Sequence, residues 1–189
     1  MSAYRKKIKL GVGIPHTGTI KAQTAYSLFA ALKDFPHDYN VFMKEGSVLH
    51  QNRADIVEKA IEKECTHLLF VDSDMSFPKD AVVKLIERNK DIIGAHYNRR
   101  KFPPTSTVIN PKDPNMGITL CDSVATGFML IKLDVFKKLS KPWFFWELDE
   151  NGKTVTGEDY WFCSKARQAG YEIWADFTLE VLHCGDYLY

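Results

Sequence analysis

The sequence lacks the features that would place the chain in a membrane or an oxidising compartment. No apolar run approaches the roughly 20 residues of a membrane-spanning helix. The basic N-terminus leads into an apolar stretch shorter than that of a signal peptide. The four cysteines are far apart and form no C-x-x-C pair, as expected for reduced thiols. These absences predict a cytoplasmic protein.

The chain also has little net charge and no internal repeat. Its 25 Lys and Arg residues nearly balance its 24 Asp and Glu residues, which mildly disfavours extended contacts with nucleic acid phosphates. No low-complexity segment or linker interrupts the 189 residues, of which 45% are hydrophobic. We therefore expect a single domain over residues 1–189 with one substantial core.

Apolar periodicity predicts an α/β domain. Short apolar runs predict strands, and apolar residues at helical spacing predict helices. The predicted strands cover residues 8–14, 39–43, 67–71, 91–95, 124–132, 171–175 and 180–183. The predicted helices cover residues 19–33, 54–63, 79–88, 134–139 and 159–169, and the proline-rich segment 101–117 predicts a loop. Because strands and helices alternate through the first half, we expect a central, mostly parallel sheet.

Asp72, Ser73 and Asp74 directly follow the apolar segment 67–71. Ligands of open α/β sheets bind beyond the carboxyl ends of the strands. Two carboxylates placed there suit Mg²⁺ or Mn²⁺, which take their remaining oxygen ligands from substrate phosphates. A surface turn explains the same three residues equally well, because Asp and Ser are common turn residues.

Two further groups could complete such a site. Glu158 and Asp159 lie at the junction between a loop and a predicted helix, where acids stabilise the first turn but could also activate an acceptor hydroxyl as a general base. His183 follows an apolar segment near the C-terminus. A lone histidine there is more often structural, yet beside a carboxylate site it could be a ligand for Mn²⁺.

Taken in chain order, these elements resemble the glycosyltransferase A fold, closest to the inverting family-2 enzymes. The resemblance covers nearly the whole chain and rests on the opening strand that ends at Pro15, the Asp72–Asp74 motif, the Gly127 segment, the Glu158–Asp159 pair and His183. It implies a single Rossmann-like domain with the nucleotide-diphospho-sugar transferase fold. The implied activity is metal-dependent transfer of a sugar, by family frequency a UDP-hexose, to an acceptor hydroxyl. The short chain is similar to small stand-alone enzymes of bacteria and phages.

The resemblance implies binding roles for the residues around the donor. Pro15, His16 and Thr17 would border the nucleoside. Asn52 and Arg53, which open the second predicted helix, would lie near the base and the diphosphate. Arg53 could alternatively be a helix residue that faces solvent and has no binding role.

It also implies roles at the reacting centre. Asp74 would bind the metal with His183, and Asp72 would lie near the ribose and the metal, with Ser73 beside them. Gly127 would pass beneath the donor sugar. Asp159 would be the catalytic base, and Glu158 would support it or touch the acceptor.

Two other segments carry weaker signals. The basic residues 99–101 could bind phosphate or form a solvated loop. The aromatic run 143–146 is more typical of a core, but aromatic faces also suit sugar rings. If these aromatic residues are exposed, they could form the interface of a homo-oligomer.

Other functions remain open at this point. Asp72 and Asp74 also resemble the nucleophile motif of haloacid-dehalogenase-type phosphatases, although that motif normally ends the first strand of its domain. A nucleotidyltransferase of related fold is disfavoured because no Gly-rich, Lys-bearing loop follows the first strand. A catalytically silent sugar-nucleotide-binding module is a further alternative. The acceptor could be a carbohydrate, a protein, a lipid-linked molecule or a modified nucleic acid.

Overall fold

A computed structural model describes residues 7–185 and places a seven-stranded sheet between two groups of helices. The strands of this sheet, in chain order, are β1 (Lys9–His16), β2 (Asp38–Glu45), β3 (His67–Val71), β5 (Ile92–Ala95), β6 (Ile118–Cys121), β7 (Phe128–Lys132) and β10 (Ile173–Asp176). Their spatial order is β2-β1-β3-β7-β5-β10-β6.

Most strands of the sheet run in one direction. β1 pairs in parallel with β2 and β3, and β10 pairs in parallel with β5. β7 lies antiparallel between β3 and β5, and β6 is antiparallel to β10. The predicted mixed α/β fold with a mostly parallel central sheet is therefore confirmed.

Five helices cover the two faces of the sheet. They are α1 (Ala22–Leu32), α2 (Leu49–Glu62), α3 (Ala81–Glu87), α4 (Leu133–Lys138) and α5 (Glu158–Gln168). Along β3 the buried side chains alternate between the faces, as strand geometry requires. Leu68 and Phe70 pack with residues of α2, α4 and α5, whereas Leu69 and Val71 pack with residues of α1 and α3.

Four short strands lie outside the central sheet, and the sequence predicted only one of them, within residues 180–183. β4 (Met75–Ser76) pairs antiparallel with β11 (Leu182–His183), and β8 (Glu147–Leu148) pairs antiparallel with β9 (Thr154–Thr156). Strands of two or three residues are too short to show an alternating pattern. Among the described residues, no helix is long and apolar enough to cross a membrane.

The start of α2 differs from the prediction. The helix begins at Leu49 rather than at residue 54, so Asn52 and Arg53 lie inside it and not at its opening. Both side chains are buried. The apolar pattern missed this turn because polar side chains, held by hydrogen bonds, face the protein interior there.

Candidate functional site

A cleft of about 430 Å³ opens at the carboxyl ends of β1 and β3. This is the edge at which open α/β sheets bind their ligands. Among the predicted site residues, the cleft is lined by Pro15, His16, Thr17, Asp72, Ser73, Asp74 and His183. Its remaining lining residues are Gly46, Ser47, Leu49, Arg100 and Trp146.

Asp74 and His183 meet in this cleft although they are far apart in the sequence. The β4–β11 pairing places His183 opposite Met75, and the Cys184 amide donates to the Asp74 carbonyl at 2.7 Å. His183 Nε2 consequently lies 3.3 Å from Asp74 Oδ1. Burial opposes ionisation of Asp74, but the hydrogen bond and charge of His183, with the charge of Arg100, lower its pKa overall.

Arg100 contacts the other oxygen of the Asp74 carboxylate. Its Nη1 atom lies 3.1 Å from Asp74 Oδ2, and about half of the Arg100 side chain is exposed. The sequence indicated a phosphate-binding role for this basic segment only weakly. In the structure Arg100 lines the cleft, where its guanidinium can contact an anionic ligand as well as Asp74.

The donor set fits a divalent ion only in part. Within residues 7–185, no three His, Cys, Asp or Glu side chains gather as a metal-binding group. Asp74 and His183 do converge, and His183 Nδ1 is buried with no hydrogen-bond partner. One carboxylate and one imidazole suit an ion that takes its other ligands from substrate phosphates.

Asp72 is held by a buried arginine. Arg53 Nη2 donates to Asp72 Oδ1 at 2.9 Å, and Arg53 Nε lies 3.4 Å from Glu158 Oε1. Burial alone would lower the pKa of Arg53, but the charges of Asp72 and Glu158 raise it. Arg53 Nη1 is also buried and has no partner among the described residues. Arg53 is thus no solvated helix residue, because it joins the two acidic motifs.

The two acids of the second motif have different surroundings. Glu158 is buried, and its Oε2 accepts a 2.5 Å hydrogen bond from Trp146 Nε1, so both of its oxygens have partners. Asp159 is partly buried and accepts a hydrogen bond from its neighbouring Tyr160 amide. Burial and the charge of Glu158 raise the pKa of Asp159 to about 6. Asp159 is therefore the acid better suited to exchange a proton near neutral pH.

Gly127 lies where any side chain would collide with Tyr97 unless one of them shifted. Its amide donates to the Tyr97 hydroxyl at 3.0 Å. A Cβ atom on Gly127 would lie 2.2 Å from Tyr97 Oη and 3.0 Å from Asp72 Oδ2. Tyr97 is buried with its ring nearly perpendicular to that of His183, and burial raises its pKa well above the ordinary value. Sequence reasoning missed Tyr97, whose only signal was its place shortly after a predicted strand.

Asn52 is buried behind the cleft and holds one of the loops that line it. Its Nδ2 donates to the Gly46 carbonyl at 2.8 Å, which fixes the loop between β2 and α2. A Cβ atom on Gly46 would lie 2.6 Å from Asn52 Oδ1, and the φ angle of Gly46 is +157°. Asn52 itself is buried and does not line the cleft.

The aromatic run 143–146 divides between core and cleft. Trp143 and Phe144 are buried in the core, as the more common interpretation predicted. Phe145 and Trp146 are partly exposed, and the Trp146 ring lies 5.4 Å from that of His50. Trp146 is the member of the run that reaches the cleft.

Comparisons with protein family models and with curated protein sequences found no match. Among solved structures, the chain is similar to A197 from STIV, with 18% identity and a TM-score of 0.70 over 95% of this chain and 86% of that chain. It is also similar to a protein from Desulfovibrio desulfuricans G20 described as a nucleotide-diphospho-sugar transferase, with 11% identity and a TM-score of 0.51 over 90% and 80% of the two chains.

A UDP-glucose pyrophosphorylase solved with UDP-glucose is a further neighbour. It shares 13% identity with a TM-score of 0.56, over 94% of this chain and 93% of that chain. At these identities the similarity establishes the fold alone. The chain has the nucleotide-diphospho-sugar transferase fold that the sequence predicted.

Proposed function

We propose that the protein is a metal-dependent glycosyltransferase, which moves a hexose from a nucleoside diphosphate, UDP by preference, to an acceptor hydroxyl. The proposal is carried by one arrangement, which begins in the cleft and continues among the buried residues behind it. Asp74 and His183 converge at one end, and Arg53 joins Asp72 to the Glu158–Asp159 pair. We assign residues 1–189 to a single catalytic domain, which would act in the cytoplasm.

Asp74 and His183 are the residues that would hold Mn²⁺ or Mg²⁺, with Asp72 nearby. Such an ion, when bound, neutralises the charge that develops on a departing diphosphate. Arg100 lies in the same cleft and can add its positive charge to the phosphates. Pro15, His16, Thr17 and Ser73 line the part of the cleft that we assign to the nucleoside.

Asp159 would act as the general base. With a pKa of about 6 its carboxylate is ionised at neutral pH, so it can accept the proton of an acceptor hydroxyl. The acceptor oxygen then bonds to the anomeric carbon as the bond to the diphosphate breaks. One displacement from the opposite face inverts the anomeric configuration, in keeping with the family-2 resemblance. Glu158 would hold Arg53 and Trp146 in place.

A sugar-nucleotide pyrophosphorylase is the second candidate, because enzymes of that kind share the fold. Their reaction would require phosphate-binding groups directly after the first strand. Here β1 is followed by His16, Thr17 and Gly18, and the next cationic side chain is Lys21. The segment offers less cationic charge than a Gly-rich, Lys-bearing loop would supply.

A panel of nucleoside-diphosphate sugars separates these activities. We expect release of the nucleoside diphosphate in the presence of Mn²⁺, faster with a suitable acceptor, and strong loss of release in Asp159→Asn. Formation of a nucleoside triphosphate from UDP-glucose and pyrophosphate would instead support the pyrophosphorylase. Hydrolysis of p-nitrophenyl phosphate through Asp72 would support the phosphatase reading. Donor binding without turnover on any acceptor would support the silent binding module.

A further inference from the structure

Helix α1 has no charged residue although much of its surface is exposed. Its sequence is AQTAYSLFAAL, and one side buries Thr24, Ser27, Leu28, Ala31 and Leu32. On the other side, Tyr26 is 74% exposed and Phe29 is 67% exposed. A surface helix normally carries charged residues on its solvent face, whereas a helix that is apolar all round is normally buried.

Strand β2 carries a second set of exposed apolar side chains. It ends the central sheet, so within residues 7–185 its only strand neighbour is β1 and no strand pairs with its outer edge. Tyr39, Val41 and Met43 alternate along it and are 44%, 44% and 55% exposed. They pair in register with Leu10, Val12 and Ile14 of β1, which pack in the same core cluster as α1. The three side chains therefore lie on the side of the sheet that carries α1.

We call Tyr26, Phe29, Tyr39, Val41 and Met43 the α1–β2 surface. Five large apolar side chains are exposed on one side of the sheet, and three of them lie on an edge strand, a combination that favours association between molecules. Edge strands are usually protected by central charges, by proline or by a bulge. The charges of β2 lie instead near its two ends, at Asp38, Lys44 and Glu45.

The positions of these charges make the strand complementary to itself. If two copies of β2 pair antiparallel about Val41, Tyr39 of one copy lies opposite Met43 of the other. Asp38 then lies opposite the second copy's Lys44. A shift of one residue would place Asp38 against Glu45 and Tyr39 against Lys44, which is unfavourable in charge and polarity.

We propose that the protein forms a homodimer through the α1–β2 surface, with the two β2 strands paired antiparallel about Val41. The pairing joins both sheets into one and places the exposed side chains of β2 beside their copies, on the side of each sheet that carries α1. Because the pairing is antiparallel, the two clefts lie toward opposite ends of the dimer. The proposal does not depend on the proposed glycosyltransferase activity.

The local ion pairs permit this exchange of partners. Asp38 contacts Lys7 at 2.7 Å, and Lys44 contacts Asp55 at 2.7 Å, with all four side chains substantially exposed. Exposed pairs contribute little to stability, so replacing one partner by another costs little.

Sedimentation velocity over a wide concentration range is the first test. We expect a dimer that Met43→Lys converts to a monomer, because an ammonium group would be buried at the interface. Met116→Lys is the matched control, since Met116 is 73% exposed elsewhere and should leave the dimer intact. A wild-type monomer at every concentration, or a dimer unaffected by Met43→Lys, would overturn the proposal.

Disulfide formation tests the register. In Val41→Cys the two introduced thiols face each other across the axis, where directly paired Cα atoms are about 4.5–5.5 Å apart. In Met43→Cys the two thiols are separated by four residues along the paired strands, a distance of about 14 Å. We expect diamide to crosslink Val41→Cys rapidly and Met43→Cys poorly, over a low background because the four native cysteines are buried. Equal crosslinking of both variants would contradict this pairing.

Discussion

Arg53 Nη2 lies 2.9 Å from Asp72 Oδ1, and this buried contact joins the middle of the α2 helix to the end of β3. The same guanidinium reaches Glu158, so a single cation links two acidic motifs that are 86 residues apart in the sequence, at positions 72 and 158. Without Arg53 these carboxylates would repel one another in a partly buried site.

Removing Arg53 should destabilise the protein and disturb Asp159. Arg53→Met leaves buried carboxylates without their cation, so we expect a loss of about 3–5 kcal/mol in the free energy of unfolding. The pKa of Asp159 should rise above its present value of about 6, because the charge of Arg53 lowers it. Urea denaturation measures the first effect. Lys84→Met, which breaks the exposed pair with Asp80, is the control and should cost at most about 0.5 kcal/mol.

Asp159→Asn should separate activity from stability. The folded-state pKa of Asp159 is raised from 3.8 to about 6, so the folded protein binds the proton more tightly. Ionisation of Asp159 therefore opposes folding, and its cost grows as the pH rises through this window. The variant should lose transfer activity. Its melting temperature should exceed that of the wild type by more at pH 7 than at pH 4. Asp34→Asn is the matched control, because it makes the same substitution at an exposed position. An equal shift at both pH values would contradict the assigned pKa.

The wild-type rate should follow the same ionisation. Because Asp159 must be a carboxylate to accept a proton, turnover should fall as the pH drops below about 6. A pH profile of kcat/KM on the free enzyme measures this limb. Arg53→Met should move the limb to higher pH, provided that it remains folded. A flat profile between pH 5 and pH 7 would exclude Asp159 as the base.

Arg100 should compete with the metal for Asp74. Arg100→Gln removes a cation 3.1 Å from Asp74 Oδ2, so Mn²⁺ should bind the nucleotide-free protein more tightly, by roughly threefold to tenfold. Donor binding should weaken, because the phosphates lose a positive partner. Titration calorimetry with Mn²⁺ alone and then with UDP measures both effects. Lys101→Gln is the neighbouring control, and unchanged Mn²⁺ affinity in Arg100→Gln would refute the competition.

Gly127→Ala should damage the site through Tyr97. The added methyl group would lie 2.2 Å from Tyr97 Oη, so the segment must shift at a cost of about 1–3 kcal/mol. Tyr97→Phe in the same chain removes that hydroxyl and should recover part of the stability and donor affinity. A double-mutant cycle on melting temperature and donor binding measures the recovery. Additive effects of the two substitutions would show that contact with the Tyr97 hydroxyl is not the reason why alanine is unfavourable at position 127.

The sequence predicted the central strands well and their less regular partners poorly. β3 has the predicted bounds because an uninterrupted apolar run between polar residues leaves little ambiguity. The first turn of α2 was missed because buried Asn52 and Arg53 are polar. β6 was missed because the long proline-rich loop precedes it and its four residues pair with a distant strand, β10.

The candidate site was predicted as a set of residues but not as a set of contacts. Motif order indicated Asp74 and His183, yet only the β4–β11 pairing brings them together. The roles of Arg100 and Tyr97 depend on how the segment after β5 folds back over the cleft, and no local pattern encodes that path. Glu158 and Asp159 are adjacent in sequence, and their different partners follow from which side of α5 each one faces.

Under the proposed function, Asp74 binds the donor phosphates through a divalent ion, and thermal unfolding can detect this binding. Melting temperatures should be recorded for wild type and Asp74→Asn with a panel of nucleoside-diphosphate sugars, each with and without Mn²⁺. We predict that one donor raises the wild-type melting temperature only when Mn²⁺ is present, and that Asp74→Asn abolishes this rise. A rise that needs no metal, or that persists in Asp74→Asn, would contradict the claim.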